Sequence, residues 1–293
     1  MLKEKFVPVA IDQWYERRQK DAKGDFYRKI AGQGPRNNFE QTTQGHYACT
    51  ATGKLLSFNS NHEDINRVKT MMRKAIEDFD PASYEGVEAI EAATLDSSFD
   101  LHPPKDGLVL RVHSKILSGY DEPGNKRESS FQNSIGQDNA WIQATEIEAL
   151  IKVAREGGVI PAAISHRIAR FHLIDNTRGE PPRWTSEEIM SIAMEISNGV
   201  IEGDVKLSTA DGKRGYEAKL YGRIETSDDT VTRFDLVADG KFWGQGRHTK
   251  WAPKGKFPLA ITFRMADGSA LLDSVPPHGV KGWVAGYYKA EQQ

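Results

Sequence analysis

The segment "RFHLIDNTRGEPPRW", residues 170–184, concentrates side chains that can carry chemistry. If "PAAISHRIARFHL" is helical, His172 lies at the helix end and Asp175 in the turn just beyond it. Imidazole nitrogens and carboxylate oxygens bind Zn²⁺ and related ions, and an arginine fork binds an anion through two hydrogen bonds. The residues that this segment offers to a metal or ligand are His166, His172, Asp175, Arg178, Glu180 and Trp184.

The same segment also suits a purely structural role, which is the one we expect. Its side chains would cap the C-terminus of the helix, form an Asx turn and pin a loop through ion pairs. Their spacing matches none of the standard helical metal motifs, such as HExxH. A metal or ligand site in this segment is therefore the alternative hypothesis.

A second candidate site is the loop "WGQGRHTKWAPKGKFP", residues 243–258. Trp243 and Trp251 flank Arg247 and His248 on a glycine-rich stretch. Aromatic rings beside cations bind sugars, bases or carboxylates. The simpler expectation is a long hairpin loop that folds its aromatic rings onto the edge of a sheet.

The chain has one cysteine, Cys49, so neither an internal disulfide nor a multi-cysteine zinc site is available. A nucleophilic thiolate needs a neighbouring base or positive charge, and His46 is three residues away. In a strand, positions 46 and 49 face opposite sides. Cys49 should share a core face with Tyr47, which predicts a buried structural cysteine.

The first eighty residues have a mixed helix and strand pattern. We expect a short strand at "KFVPVAI", then partly helical chain up to "AGQGP". A hairpin follows in "GHYACTATGKLLSFN", with its turn at Thr52-Gly53. An amphipathic helix comes next, with Ile65, Val68, Met72, Ala75, Ile76 and Phe79 on one face.

Residues 81–140 read as a linker and a long polar loop around one strand, "GLVLRVHSKIL". Helices are expected at "QATEIEALIKVAREGG" and "PAAISHRIARFHL", and a third at 186–198 after a Thr185–Glu188 capping box. The last ninety or so residues alternate in short runs with Asp-Gly turns at 211, 239 and 267. They predict an antiparallel sheet, as a sandwich or a partial barrel, with helices packed on it.

Composition restricts the function. The formal net charge of −2 disfavours a general nucleic-acid binder, which needs a positive excess. No run approaches the 18 or so apolar residues of a membrane helix, and the N-terminus lacks a secretory signal. A cytoplasmic location is the default expectation. No P-loop, dinucleotide fingerprint, serine nucleophile elbow or EF-hand is present.

The phrases "RFHLIDNTRGEPPRW", "RGYEAKLYGRIE" and "TRFDLVADGKFWGQGRHTKWAPKGKFPLAITFRM" resemble a bacterial family without a settled function. Its members join a thioredoxin-like N-terminal part to a helical and β C-terminal part. The resemblance implies that residues 1–80 are a shortened thioredoxin-like domain that lacks the βα unit with the CxxC. It assigns no catalytic residue.

The expected protein is α+β, with a part at 1–80, a connection at 81–140 and a C-terminal domain at 141–293. The expected role is binding a small molecule or a protein partner, with a redox-inactive thioredoxin-like part. One alternative is an enzyme or metal protein that uses the 166–180 cluster. The other is a single-cysteine redox protein that uses Cys49, for example with glutathione. The cofactor is unknown.

Overall fold

The computed structural model describes residues 1–60, 64–81, 101–120, 124, 126–279 and 284–289. The chain divides into two compact units, residues 1–101 and residues 102–293. Within the described residues no helix combines the length and the apolar character needed to cross a bilayer.

The described residues of the first unit form four helices and one hairpin. The helices are α1 (Leu2–Lys5), α2 (Gln13–Glu16), α3 (Ala22–Ala31) and α4 (Ile65–Glu77), and the strands are β1 (Gly45–Cys49) and β2 (Leu55–Ser60). Asp12, Asp21 and Asp64 begin α2, α3 and α4, because each carboxylate accepts a backbone N–H of the first turn. The hairpin expected from "GHYACTATGKLLSFN" and the helix after it are confirmed.

The strand expected at "KFVPVAI" is wrong. Residues 7–12 have no regular secondary structure, and Val7 and Val9 are exposed. A strand needs a partner for its N–H and C=O groups, and the described sheet of this unit has only β1 and β2. The apolar face of α4 is also only partly covered, since Met72 and Ala75 are buried while Ile65 is exposed.

Cys49 is exposed, which corrects the expectation of a buried cysteine. The hairpin register shifts between Ala48 and Cys49, so a bulge turns the last residue of β1 away from the regular alternation. Protein atoms near the sulfur still desolvate its charged form and raise the pKa of the Cys49 thiol.

The second unit is built on one eight-stranded antiparallel sheet, in the order β4-β3-β10-β9-β8-β7-β6-β5. Its strands are β3 (Leu108–Ile116), β4 (Gly136–Ile142), β5 (Gly158–Val159), β6 (Ile189–Ser197), β7 (Val200–Ser208), β8 (Gly215–Ser227), β9 (Thr230–Trp243) and β10 (Lys256–Met265). The antiparallel sheet expected for the C-terminal part is confirmed, and β3 and β4 join it from the region expected to be linker.

The described helices of this unit are α5 (Lys126–Asn133), α6 (Ala144–Glu156), α7 (Ala162–Arg167) and α8 (Val284–Tyr288). A π-helical turn, Ile168–His172, continues α7. Period-two alternation buries one sheet face, as in β10, where Phe257, Leu259, Ile261 and Phe263 are all buried. The core contains these residues together with Leu150 of α6 and Ile164 of α7.

The helix expected at 186–198 is wrong. The Glu188 carboxylate does accept the Thr185 N–H at 3.0 Å, but the helical part is a single 3₁₀ turn, Ser186–Glu188. The chain then pairs as β6 between β5 and β7. Ile192 and Ile196 fit a period of two as well as a helical period, whereas Met194 fits only the period of two, and the branched isoleucines favour the strand.

Two further expectations need correction. The polar stretch after residue 118 contains α5 and β4 rather than only a loop, and residues 82–100 of the expected linker lie outside the described residues. Of the three Asp-Gly turns, Asp211-Gly212 joins β7 to β8, but Asp239-Gly240 lies inside β9 and Asp267-Gly268 follows the last strand.

The chain after β10 covers the outer edge of β4. Asn139 Nδ2 donates to the carbonyl oxygens of Leu272 at 2.7 Å and Val275 at 2.9 Å. The Trp141 N–H donates to the Tyr287 hydroxyl at 3.1 Å. An uncovered edge strand would leave such groups open to pairing with another chain. These residues after β10, of which 266–279 and 284–289 are described, are called the covering segment. They complete this end of the sheet.

Arg111 and Asp273 anchor the covering segment on β3 through two hydrogen bonds, from Nε at 2.6 Å and from Nη2 at 2.8 Å. The hydrogen bonds from Arg111 hold the pKa of Asp273 below its usual value. A depressed carboxylate pKa stabilises the fold above the pKa of the unfolded chain, and the contribution is lost as pH falls through the folded pKa.

Asp273→Asn should lower the thermal midpoint of the second unit at pH 7 and have a diminishing effect below about pH 4, where the unfolded carboxyl is protonated. Calorimetry of the full chain from pH 3 to pH 7 measures this. Asp229→Asn is the control, because that side chain is fully exposed. An equal loss at pH 3 and pH 7 would contradict the assigned ion pair.

Candidate functional site

Three titratable side chains meet at the covered edge of the sheet: Asp138 of β4, His172 at the end of the π turn, and His278 of the covering segment. One possible ligand atom from each lies within 4.8 Å of the others. Asp138 Oδ2 is 3.0 Å from His172 Nδ1 and 3.7 Å from His278 Nε2. No other such group of three His, Cys, Asp or Glu occurs in the described part of the chain.

Asp138 is the centre of this cluster. Its Oδ1 accepts the backbone N–H groups of Asn139 at 2.8 Å and His278 at 2.7 Å, and its Oδ2 faces His172. Burial by itself would raise the pKa of Asp138, but the hydrogen bond and charge of His172, with the charge of His278, lower it overall. The carboxylate is thus held in its charged form by groups that are themselves buried.

His172 is buried and contacts a partner with each ring nitrogen. Nδ1 faces Asp138, and Nε2 lies 2.7 Å from the Tyr287 hydroxyl. That hydroxyl also accepts the Trp141 N–H. The π turn that ends at His172 is wider than an α turn, a local change often found at functional sites.

His278 is held in an unusual backbone conformation, with φ 58° and ψ 15°. Residues other than glycine rarely adopt a positive φ, and such strain persists where the surroundings fix it. Here the His278 N–H bonds to Asp138, and Nε2 lies 2.5 Å from the Phe171 carbonyl oxygen. Burial lowers the pKa of His278, which favours the neutral imidazole that binds metals.

The residues of 166–180 that the sequence suggested as ligands lie in different environments. His172 belongs to the cluster described above. Asp175 and Arg178 form a buried ion pair, and Asp175 Oδ1 also accepts the Thr177 hydroxyl at 2.6 Å. His166 is partly buried, and Glu180 is exposed. The structure therefore does not bring the four expected metal ligands within binding distance of one another.

Arg178 joins this segment to the 243–258 loop. Its guanidinium donates to Asp175 from Nε at 2.8 Å and to the carbonyl oxygens of Thr249 and Lys250 from Nη1. Glu180 and His248 form an isolated β-bridge beside it. The two segments singled out in the sequence do meet, but the contact is occupied by a buried arginine.

The remaining candidates lie around this contact. Trp184 is buried with its Nε1 donating to the Leu173 carbonyl at 2.8 Å, and Arg214 stacks over its ring at 3.8 Å. Trp243 bonds the Gly212 carbonyl and lies under Lys256. The exposed candidates in the loop are Arg247, His248 and Trp251. These contacts support the structural interpretation of the loop.

Sequence reasoning found one member of the cluster and missed Asp138, His278 and Tyr287. Asp138 lies 34 residues before His172, and Tyr287 lies 115 residues after it, so no local spacing links them. The only signal was "PPHG", in which a histidine follows two prolines and precedes a glycine. This pattern predicts a rigid turn, but it does not show which residues the histidine contacts.

Arg178→Ala should lower the free energy of unfolding by about 3–5 kcal/mol, because it leaves the Asp175 carboxylate buried without its cation. Equilibrium urea unfolding of the full chain, fitted with one transition for each unit, measures the change. Arg247→Ala removes an exposed arginine from the adjoining loop and should stay within about 0.5 kcal/mol. A loss below about 1 kcal/mol for Arg178→Ala would refute the structural role.

Comparison with family models, with curated proteins and with solved structures finds no significant match to this chain. The site is therefore interpreted from its own geometry.

Proposed function

We propose that the second unit binds one divalent transition-metal ion through Asp138, His172 and His278. The observation that carries the proposal is the convergence of one carboxylate and two imidazoles, from three separate segments, within 4.8 Å. Two histidines and one carboxylate are a recurrent donor set for zinc and for non-haem iron. The proposed ligands therefore differ from those expected within residues 166–180, and only His172 belongs to both sets.

The distances suit a shared ion. Ligands about 2.0–2.1 Å from a tetrahedral zinc lie about 3.4 Å apart. Asp138 Oδ2 is 3.0 Å from His172 Nδ1 and 3.7 Å from His278 Nε2, values on either side of that separation. The third separation, between the ligand atoms of the two imidazoles, is within 4.8 Å.

Metal binding at Nδ1 would require the other tautomer of the His172 ring. In the hydrogen-bonded form that satisfies every partner, Trp141 N–H donates to Tyr287, the Tyr287 hydroxyl donates to Nε2, and Nδ1–H donates to Asp138. An ion on Nδ1 moves the ring proton to Nε2, which then donates to Tyr287. A histidine ligand is usually held in this way by its second nitrogen.

His278 requires a different exchange. Its Nε2 hydrogen bonds to the Phe171 carbonyl oxygen, and this bond is exchanged for the bond to the ion. Buried nitrogen and oxygen donors without sulfur favour Zn²⁺, Fe²⁺, Co²⁺ or Mn²⁺ over the soft Cu⁺. The covering segment, which supplies His278, becomes part of the metal site.

The role expected from the sequence, binding of a small molecule or a protein partner, stays a proposal for the protein. The description of the first unit as a shortened thioredoxin-like domain and the cytoplasmic location of the protein are also proposals. The hairpin of β1 and β2 contacts both α3 and α4, and this packing supports the thioredoxin-like description. The raised pKa of Cys49 disfavours the thiolate that a single-cysteine redox protein would need.

The untagged full chain, stripped with a chelator, should bind one equivalent of Zn²⁺ in calorimetric titration and in elemental analysis. His172→Ala and His278→Ala should each weaken binding at least 100-fold, because each removes a ligand. His166→Ala and His248→Ala are matched controls, since both histidines lie outside the cluster. They should bind as the unsubstituted chain does.

Absence of stoichiometric Zn²⁺ and Co²⁺ binding would refute the proposal. So would equal affinities in His278→Ala and His248→Ala. Circular dichroism of each variant distinguishes loss of a ligand from loss of fold. Zn²⁺ at about 100 times its Kd should also stabilise the second unit by about 2.7 kcal/mol, which a thermal scan detects.

Tyr287→Phe should weaken Zn²⁺ binding about 10- to 100-fold, because the ring of His172 loses the partner that orients it. Direct titration measures this. Tyr288→Phe, at the neighbouring position in α8, is the control and should change the affinity less than threefold. Unaltered affinity in Tyr287→Phe would mean that His172 is oriented without the tyrosine.

A further inference from the structure

A small cavity lies against the proposed metal site. Its wall includes Asp138 and His172 of the cluster, with Ser114 of β3 and Asn176 beyond the π turn. Its volume is about 10 Å³, which is about the space that one water molecule requires. A polar cavity of this size holds a water when it offers two to four hydrogen-bonding partners.

The hydroxyl of Ser114 indicates that the cavity holds a hydrogen-bonding group. The residue is only 2 % exposed, and its hydroxyl oxygen has no hydrogen-bond partner among the described residues. Its neighbours on the same face of β3, Val112 and Ile116, are apolar core residues. Burying a hydroxyl without a partner is unfavourable, so a serine at this position of the core needs a reason.

Gly136 keeps the cavity open. It pairs with Ser114 across β3 and β4. A Cβ atom at position 136 would lie 2.3 Å from the Ser114 oxygen and 2.5 Å from the Asn176 carbonyl oxygen. The φ of Gly136 is not in the positive range, so a side chain is excluded for lack of space and not by backbone conformation.

We infer that this cavity is the open coordination position of the metal site and that it holds a metal-bound water, hydrogen-bonded by the Ser114 hydroxyl. The inference rests on the proposed function. Three protein ligands leave a fourth position on a tetrahedral ion, and a site whose fourth ligand is water is the kind that does chemistry. Closed structural sites have four protein ligands.

The water has a complete set of partners in this position. One lone pair binds the ion, and its two hydrogens have the Ser114 oxygen and the Asn176 carbonyl oxygen within the same cavity wall. Ser114 is then a positioning residue. The size of the cavity restricts the exogenous ligand to a single oxygen, as water or hydroxide.

The test uses the full chain loaded with Co²⁺ and prepared in water enriched in ¹⁷O. A directly bound ¹⁷O water broadens the electron paramagnetic resonance signal of high-spin Co²⁺. We expect broadening in the unsubstituted chain and in Ser191→Ala, a control in which an exposed serine of β6 is removed. We expect its loss in Gly136→Ala and in Ser114→Val, which fill the cavity, while Co²⁺ stays bound.

The outcomes separate the two proposals. If the unsubstituted chain fails to bind Co²⁺, the proposed function is wrong and this inference falls with it. If Co²⁺ binds without ¹⁷O broadening, only the open position is wrong. Broadening that persists in both cavity variants would also overturn it. If Gly136→Ala does not fold, Ser114→Val, which replaces the hydroxyl with two methyl groups, decides the question.

Discussion

The need to satisfy one buried carboxylate, that of Asp138, determines how the edge of the large sheet is finished. A charged carboxylate in an apolar core requires donors, and Asp138 obtains them from its own strand, from the π turn and from the covering segment. Three stretches of chain distant in sequence are thereby fixed at one point. The strained backbone of His278 is held by this arrangement and, through it, by the sheet.

Two acidic groups of the second unit, Asp175 and Asp138, have different kinds of partner. Asp175 is paired with Arg178, a permanent cation, which also occupies the contact between the 170–184 segment and the 243–258 loop. Asp138 faces two imidazoles and lies beside a water-sized cavity, whose wall includes a Ser114 hydroxyl that has no hydrogen-bond partner among the described residues. Pairing with arginine completes the first group, whereas the second belongs to the proposed metal site.

Sequence patterns predicted the elements whose burial follows a single period. The hairpin at 45–60, the helix at 65–77 and the alternating strands of the second unit follow directly from their apolar spacing. The 186–198 segment was predicted incorrectly because its isoleucines fit the period of a helix as well as that of a strand. Only the pairing with β5 and β7 decides between the two. The candidate site was largely hidden for a similar reason. Its members are neighbours through the β3–β4 pairing and the chain path after β10, which no local motif encodes.

The order of the sheet also has a consequence for biosynthesis. β3, near residue 110, pairs with β10, near residue 260, so the sheet cannot close until β10 has left the ribosome. The cluster needs still later residues, because His278 and Tyr287 follow the last strand. During translation the β4 edge and the Asp138 carboxylate therefore stay exposed to solvent until these later residues have been made. An ion at the proposed site could therefore have all three ligands only after His278 has been synthesised.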